Sequence, residues 1–186
     1  VLWERHKQHL METSGFSEET IRKLGWWSCD AKELARILRK EVHAWETGIA
    51  IPYPNVPGFV RVRYDVARLR KRPDGSVSEQ RYDQPAGTGN HLYILPEVLR
   101  AIEQGTETIF ITEGEKKAVK ATQEGFPCLA VAGVWNVVER ATDDHGRKTD
   151  VRIVLPELEE LPWARRRVVI VWDSDARHKP QVMQAG

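Results

Sequence analysis

Two short acidic clusters stand directly after apolar runs. Thr108-Ile109-Phe110-Ile111-Thr112 leads into Glu113-Gly114-Glu115, and Val168-Val169-Ile170-Val171-Trp172 leads into Asp173-Ser174-Asp175. Either cluster alone reads as a cap or a turn. Their joint appearance after apolar strands carries more. If both strands belong to one parallel sheet, both clusters open on the same edge, where α/β sheets bind ligands. Three carboxylates brought that close repel unless a counter-charge joins them or a pKa rises. A hard divalent cation is the economical counter-charge, and oxygen-only ligation suits Mg²⁺ (or Mn²⁺), which keeps waters and accepts substrate phosphates. Gly114 allows a tight turn and close approach to a ligand, and a following helix over 114–124 would aim its N-terminus at the same edge.

A second candidate is basic. Between Arg61 and Arg81 stand seven bases (Arg61, Arg63, Arg68, Arg70, Lys71, Arg72, Arg81) against three acids (Asp65, Asp74, Glu79), with Tyr64 and Tyr82 among them. The pattern suits phosphate contacts with a stacking ring, and equally a solvated hairpin face. The chain as a whole carries a formal charge of only +1, with 28 Lys and Arg against 27 Asp and Glu, so global charge selects no partner.

The elements that must position these residues can be read from periodicity. Over 1–47 the chain reads as helical. Ser17 caps one helix closed by Gly25, and Asp30 caps another with Leu34, Ile37 and Leu38 on one face. Trp26, Trp27 and Trp45 are expected in its core. Over 48–95 the chain reads as β-rich. Ile49, Ile51 and Tyr53 alternate, as do Val60, Val62 and Tyr64, with Arg61, Arg63 and Asp65 on the opposite face. Pro52, Pro54 and Pro57 predict an edge or short strand, and Pro73-Asp74-Gly75 a turn. From 96 to 186, apolar strands at 108–112, 128–132 and 168–172 alternate with helices from Pro96 to Gln104, over 114–124 and around Leu158 and Leu161. The polar stretch 139–150 reads as loop. Apolar strands alternating with helices predict a parallel sheet covered on both faces.

Composition excludes other classes. The 186 residues are 41% apolar and 30% charged, which fits a folded, water-soluble chain. No apolar run approaches a membrane span, and the N-terminus has no signal-peptide core. Cys29 and Cys128 cannot build a disulfide framework or a zinc site alone, so a reducing, cytoplasmic setting is expected. No Gly-x-x-x-x-Gly-Lys-[Ser/Thr] occurs, so no ATPase motor is expected here. His145 and His178 lack ligand spacing and read as polar loop residues.

Taken together, Ile109-Phe110-Ile111-Thr112-Glu113-Gly114-Glu115-Lys116-Lys117-Ala118, Gly125-Phe126-Pro127, Ala132-Gly133-Val134-Trp135-Asn136 and Val169-Ile170-Val171-Trp172-Asp173-Ser174-Asp175 resemble the Toprim domain of primases, topoisomerases and some nucleases, in its phage and plasmid replication form. The resemblance implies Glu113 as general acid/base and metal ligand, Asp173 and Asp175 as Mg²⁺ ligands, and Gly114, Glu115, Lys116, Trp135 and Asn136 lining the site. Upstream, Gly48-Ile49-Ala50-Ile51-Pro52-Tyr53, Val60-Arg61-Val62-Arg63-Tyr64, Arg81-Tyr82-Asp83-Gln84-Pro85 and Leu92-Tyr93 resemble the basic subdomain that precedes Toprim in bacterial primase. There Arg61, Arg63, Arg81 and Tyr82 would face nucleic acid. The resemblance departs at Lys116 and Lys117, where many Toprim domains carry an Asp. The chain also stops eleven residues after Asp175.

The expectation is therefore an α/β protein in three parts: a helical segment 1–47, a basic β-rich subdomain 48–95, and a Toprim-like α/β domain 96–186, incomplete at its C-terminal end. The implied activity is Mg²⁺-dependent nucleotidyl transfer, a DNA primase-like reaction on single-stranded DNA and nucleotides. A helicase domain linked beyond residue 186 is an implied partner. The alternatives are a non-catalytic single-strand-binding module of such a helicase and a Toprim nuclease.

Overall fold

The computed structural model describes residues 1–72, 74–133, 137–143, 145 and 147–172. They form two compact units: residues 1–53 with 57–88, and residues 54–56 with 89 onward. Among the described residues no helix is long and apolar enough to cross a membrane.

The first unit begins with helices α1 (Glu4–Ser14) and α2 (Glu18–Leu24), then β1 (Trp27–Cys29), α3 (Ala31–Leu38), β2 (Gly48–Pro52), β3 (Val60–Lys71) and β4 (Val77–Asp83). The caps are the expected ones. Ser17 Oγ accepts from the Thr20 N–H at 3.1 Å, and Asp30 Oδ1 accepts from the Glu33 N–H at 2.9 Å. Gly25 ends α2 in the left-handed region at φ 65°. The strands form one antiparallel sheet in the order β1-β2-β3-β4. Leu34, Ile37 and Leu38 of α3 pack on one side of it with Cys29, Ala50, Val62 and Tyr64. The expected helical segment and most of the β-rich segment thus form one unit, because β1 pairs with β2.

β2 is short, five residues, as the prolines allowed, and it lies inside the sheet between β1 and β3 rather than at its edge. Pro52 sits at its last residue, where the missing N–H interrupts no long ladder. Two expectations are corrected here. Arg61 and Arg63 do not form an exposed basic face: they are 8% and 9% exposed. Trp26 is buried and Trp27 partly so, but Trp45 is 62% exposed on the loop after α3.

The second unit contains α4 (Pro96–Glu103), β5 (Thr108–Glu113), α5 (Glu115–Gln123), β6 (Cys128–Val131), β7 (Val138–Thr142), β8 (Lys148–Val154), α6 (Pro156–Glu159) and β9 (Arg167–Val171). β6, β5 and β9 form a parallel sheet in that order, so the fold is mixed α/β with a parallel three-stranded sheet. Ile109, Leu129, Ala130 and Val131 are fully buried within it, with Ala118 and Val119 of α5. Tyr93 bridges antiparallel to Ala130, extending the sheet by one contact on the β6 side.

Two further readings change. The stretch 139–150 is mostly not loop: β7 and β8 pair as an antiparallel hairpin. Its turn is held by Asp143, whose Oδ1 accepts from the His145 and Arg147 N–H groups at 2.9 and 2.8 Å. His145 is thus an exposed turn residue, while His178 lies outside the described residues. β9 is apolar yet not covered on both faces, with Val168, Ile170 and Val171 between 41% and 48% exposed. It is one of two outer strands, and α5 packs against the other, β6, rather than against it.

Candidate functional site

Glu113 is the last residue of β5, the central strand of the parallel sheet. The register pairs Thr112 with Val171, so Glu113 lies at the edge where β9 also ends. Thr112 fastens that edge, its Oγ1 donating to the Val171 carbonyl at 2.9 Å. Gly114 turns the chain at φ 86°, a conformation that disfavours any side chain. Its N–H donates to the Val131 carbonyl of β6 at 2.9 Å. The turn is thereby tied to one neighbouring strand while Thr112 ties β5 to the other. α5 starts at once, with no side chain capping it. Its first-turn N–H groups therefore face the same edge as the Glu113 backbone.

The Glu113 carboxylate is half-buried, and among the described residues nothing donates to it. Glu115 is different: it is 1% exposed and turned into the protein. Lys116 is half-buried and Lys117 exposed. Asp173, Asp175, Trp135 and Asn136 lie outside the described residues, and among the described residues no three His, Cys, Asp or Glu side chains cluster as a metal site. The donor chemistry fits a hard cation: Glu113 presents unengaged carboxylate oxygens at a sheet edge, and both sequence-predicted partners are oxygen donors. Cys128 supplies nothing, because burial pushes its thiol up to about 12.

In the first unit, the register places Tyr82 of β4 opposite Arg63, with Arg61 two residues away on the same face of β3. The Arg61 guanidinium lies over the Tyr82 ring, 5.3 Å from its centre, and its Nη1 donates to Tyr53 Oη at 3.4 Å. Both Nε atoms are enclosed without an acceptor. Arg61 has those partial partners; the Arg63 side chain has no hydrogen bond or ion pair among the described residues. Arg81, next to Tyr82, points to the other face, is exposed, and pairs with Glu79 at 3.7 Å. The structure therefore joins Arg61, Arg63 and Tyr82 and leaves Arg81 outside. It also gives one face of Tyr82 to Arg61 rather than leaving the ring free.

Two charged clusters escaped the sequence reading. Asp83, 9% exposed, accepts from Tyr64 Oη at 2.9 Å and from Lys40, while Glu46 takes both arms of Arg68. Burial raises the Tyr64 hydroxyl, and Asp83 raises it further. His6, buried at 4%, links Ser28 Oγ at 2.7 Å to Asp65 Oδ2 at 3.0 Å. Thr47 Oγ1 donates to the same Asp65 oxygen at 2.6 Å, and Arg5 at 3.2 Å. Burial works to raise the Asp65 carboxyl, but the His6 and Thr47 hydrogen bonds and the Arg5 charge outweigh it and hold it at about 2. No periodicity signals such clusters, because their members come from distant parts of the chain. A cavity of about 600 Å³ between α1 and α2, lined by Leu2, Met11, Ile21 and Trp26 among others, contains none of the candidate residues.

Comparison with known proteins adds little function. Residues 100–185 match a family described as Domain of unknown function (DUF3854), a span that contains Glu113, Asp173 and Asp175. An uncharacterised protein of Picosynechococcus sp. is 32% identical over 78 residues, which is 41% of this chain and 8% of that protein. The chain thus spans a small fraction of the curated relative it matches. No solved structure matches the chain.

Proposed function

We propose that the chain is a Toprim-type, primase-like module that carries out divalent-metal-dependent nucleotidyl transfer on single-stranded DNA. The observation that carries the reading is the edge of the parallel sheet. Glu113 ends the central strand, its carboxylate is unengaged among the described residues, and the neighbouring parallel strand ends level with it, two residues before Asp173 in the sequence. Asp173 and Asp175, with Glu113, would hold Mg²⁺. The bound cation would neutralise phosphate charge and lower the pKa of a coordinated hydroxyl. Glu113 would accept the proton of the attacking 3′-hydroxyl as its oxygen bonds to the α-phosphorus and pyrophosphate leaves. Gly114 would let the backbone approach a phosphate, and the uncapped α5 N-terminus would favour it. Arg63 supports a phosphate-bearing ligand independently: its guanidinium is buried with no described anion to neutralise it.

The test is primer synthesis, with nicking scored in parallel, on single-stranded DNA with nucleotides and Mg²⁺ in the intact protein. Glu113→Gln keeps the shape and removes the proton acceptor, so synthesis should fall by about 10²–10⁴. Asp173→Asn should weaken Mg²⁺ or Mn²⁺ binding in calorimetric titration with the fold intact. Unchanged synthesis in Glu113→Gln refutes the assigned role. Nicking without synthesis selects the nuclease, and single-strand binding with neither reaction selects the binding module.

A further inference from the structure

Trp45 projects from a turn that is built to hold it. The Glu46 N–H donates to the His43 carbonyl at 2.9 Å, closing the four-residue turn His43–Glu46. The Glu46 carboxylate, 2% exposed, returns to accept from the His43 N–H at 2.7 Å. Both oxygens of that carboxylate are taken by the Arg68 guanidinium. The turn is thus closed by the backbone and anchored by a charge-assisted pair. On it, the exposed His43 and Trp45 rings stack, 5.8 Å between centres and 5° between planes. Apolar ring surface of this size is normally buried. Here a pinned turn keeps it in water and fixes its orientation, which lowers the ordering cost of binding a flat partner.

Cations outnumber acids on the outer half of the hairpin that anchors the turn, where Asp74 at the tip and Glu41 on the α3 side are exposed acids. Arg68, which anchors the turn, opens the outer half of the β3/β4 hairpin, where Arg70, Lys71 and Arg72 are all exposed. Arg70 and Lys71 have no hydrogen bond or ion pair through their side chains among the described residues, and neither has Arg39 at the end of α3. The carboxylates nearest in the fold are already consumed: Glu46 by Arg68, Asp83 by Lys40 and Glu79 by Arg81. Glu41 is the exposed acid that remains on the α3 side. A planar ring surface beside unpaired cations fits a ligand that is flat and polyanionic at once.

We infer that the His43/Trp45 stack seats an unpaired base of single-stranded DNA, with Arg70, on the same face of β3 as Arg68, taking a phosphate beside it. The inference rests on the nucleic-acid reading proposed above and adds a contact surface separate from Arg61, Arg63 and Tyr82. Base stacking needs an unpaired base, and the ring supplies affinity without charge, so stacking and phosphate contributions can be separated.

The experiment is binding of a fluorescein-labelled oligothymidylate by the full chain, followed by anisotropy across a salt series. Trp45→Ala should weaken binding roughly five- to 160-fold, the range that follows from ~1–3 kcal/mol per stacked base. Its salt slope and melting temperature should stay at the wild-type values, and Trp45→Phe should recover most of the affinity. Arg70→Ala should instead flatten the slope, by about 0.7 for the phosphate no longer neutralised, and Lys71→Ala, on the other face, should change it less. A duplex should compete poorly. Wild-type affinity in Trp45→Ala, or a duplex that competes as well as the single strand, overturns the stacking seat while leaving the reaction at Glu113 standing. A wild-type chain that does not bind the oligonucleotide overturns both the seat and the single-strand partner.

Discussion

Arg63→Met should stabilise the protein and, on the nucleic-acid reading proposed above, weaken its hold on phosphate. Arg63 sits on β3 paired with Ile49 of β2 on one side and Tyr82 of β4 on the other, with Ile49 fully buried. Arg63 is 9% exposed, its Nε has no acceptor, and no described carboxylate pairs with it. Taking a charged group from water into such surroundings costs several kcal/mol after relaxation, and replacing buried charges by apolar side chains of similar volume is often stabilising by about 1–4 kcal/mol. Methionine keeps an unbranched stem of comparable reach and removes the charge. In a chain of this length each kcal/mol moves the midpoint by about 2–4 °C, so the melting temperature should rise by roughly 2–16 °C. The same variant should lose affinity for single-stranded DNA, with a salt slope lower by about 0.7. Arg61→Met is the internal contrast. Arg61 already has Tyr53 and the Tyr82 ring, so its removal gives up real interactions and should stabilise less. Scanning calorimetry and salt-dependent binding decide the matter together. An Arg63→Met protein that melts lower than wild type would mean that the guanidinium is satisfied without ligand, and the functional reading of its burial would fail.

Two further outcomes follow from the first unit. Asp65 is held at about 2 against an ordinary value of 3.8, so its contribution is complete above pH 4 and is lost as pH falls towards 2. That contribution is about 2 kcal/mol, so Asp65→Asn should lower the urea midpoint at pH 7 and flatten its fall between pH 4 and pH 2. An unchanged acid limb in the variant would remove Asp65 as the cause. Gly48→Ala tests the backbone beneath Arg63. A Cβ at Gly48 would overlap the Arg63 carbonyl oxygen across the β2/β3 ladder, where neither strand can yield cheaply. Overpacking of this kind typically costs about 1–3 kcal/mol, so the melting temperature should drop, and wild-type stability in Gly48→Ala would show that the strands part more easily than their register implies.

The parts of the fold legible in the sequence were those set by local chemistry. Ser17, Gly25 and Asp30 act where side-chain oxygen and left-handed backbone act, within three residues of the helix end. The parallel strands over 108–113, 128–131 and 167–171 were legible because continuous apolar runs between helices leave few other arrangements. What was not legible depended on partners distant in sequence. The alternation at 60–65 separated two faces correctly, but polarity offered the arginine face to phosphate or to water, accessible in either case. Sheet position, with β2 and β4 on either side, makes it buried instead. The hairpin over 138–154 was hidden because its polar composition resembles a loop, and pairing rather than burial defines its strands. At the candidate metal edge, Glu113 and the shared end of β5 and β9 were readable, since parallel pairing fixes the edge on which strand ends open. Asp173 and Asp175 lie outside the described residues.

The departures from the sequence reading within the first unit are not scattered. A charged side chain is buried without a described partner at Arg63, and a large aromatic one is exposed on a pinned turn at Trp45. Each reverses the usual solvent preference of its residue type. Each is held that way by its neighbours: Arg63 by the pairing of β2, β3 and β4, Trp45 by the Glu46–Arg68 pair. Conflicts between local preference and global fold lower stability, and they are expected where a ligand later relieves them. A single-stranded polyanion would relieve both, supplying an anion to one and a flat apolar surface to the other. An apolar peptide would relieve only Trp45, and a small inorganic anion only Arg63. That difference makes the pair of variants more informative than either alone. Parallel losses of single-strand affinity, one salt-sensitive at Arg63 and one salt-insensitive at Trp45, are what a common polynucleotide ligand requires.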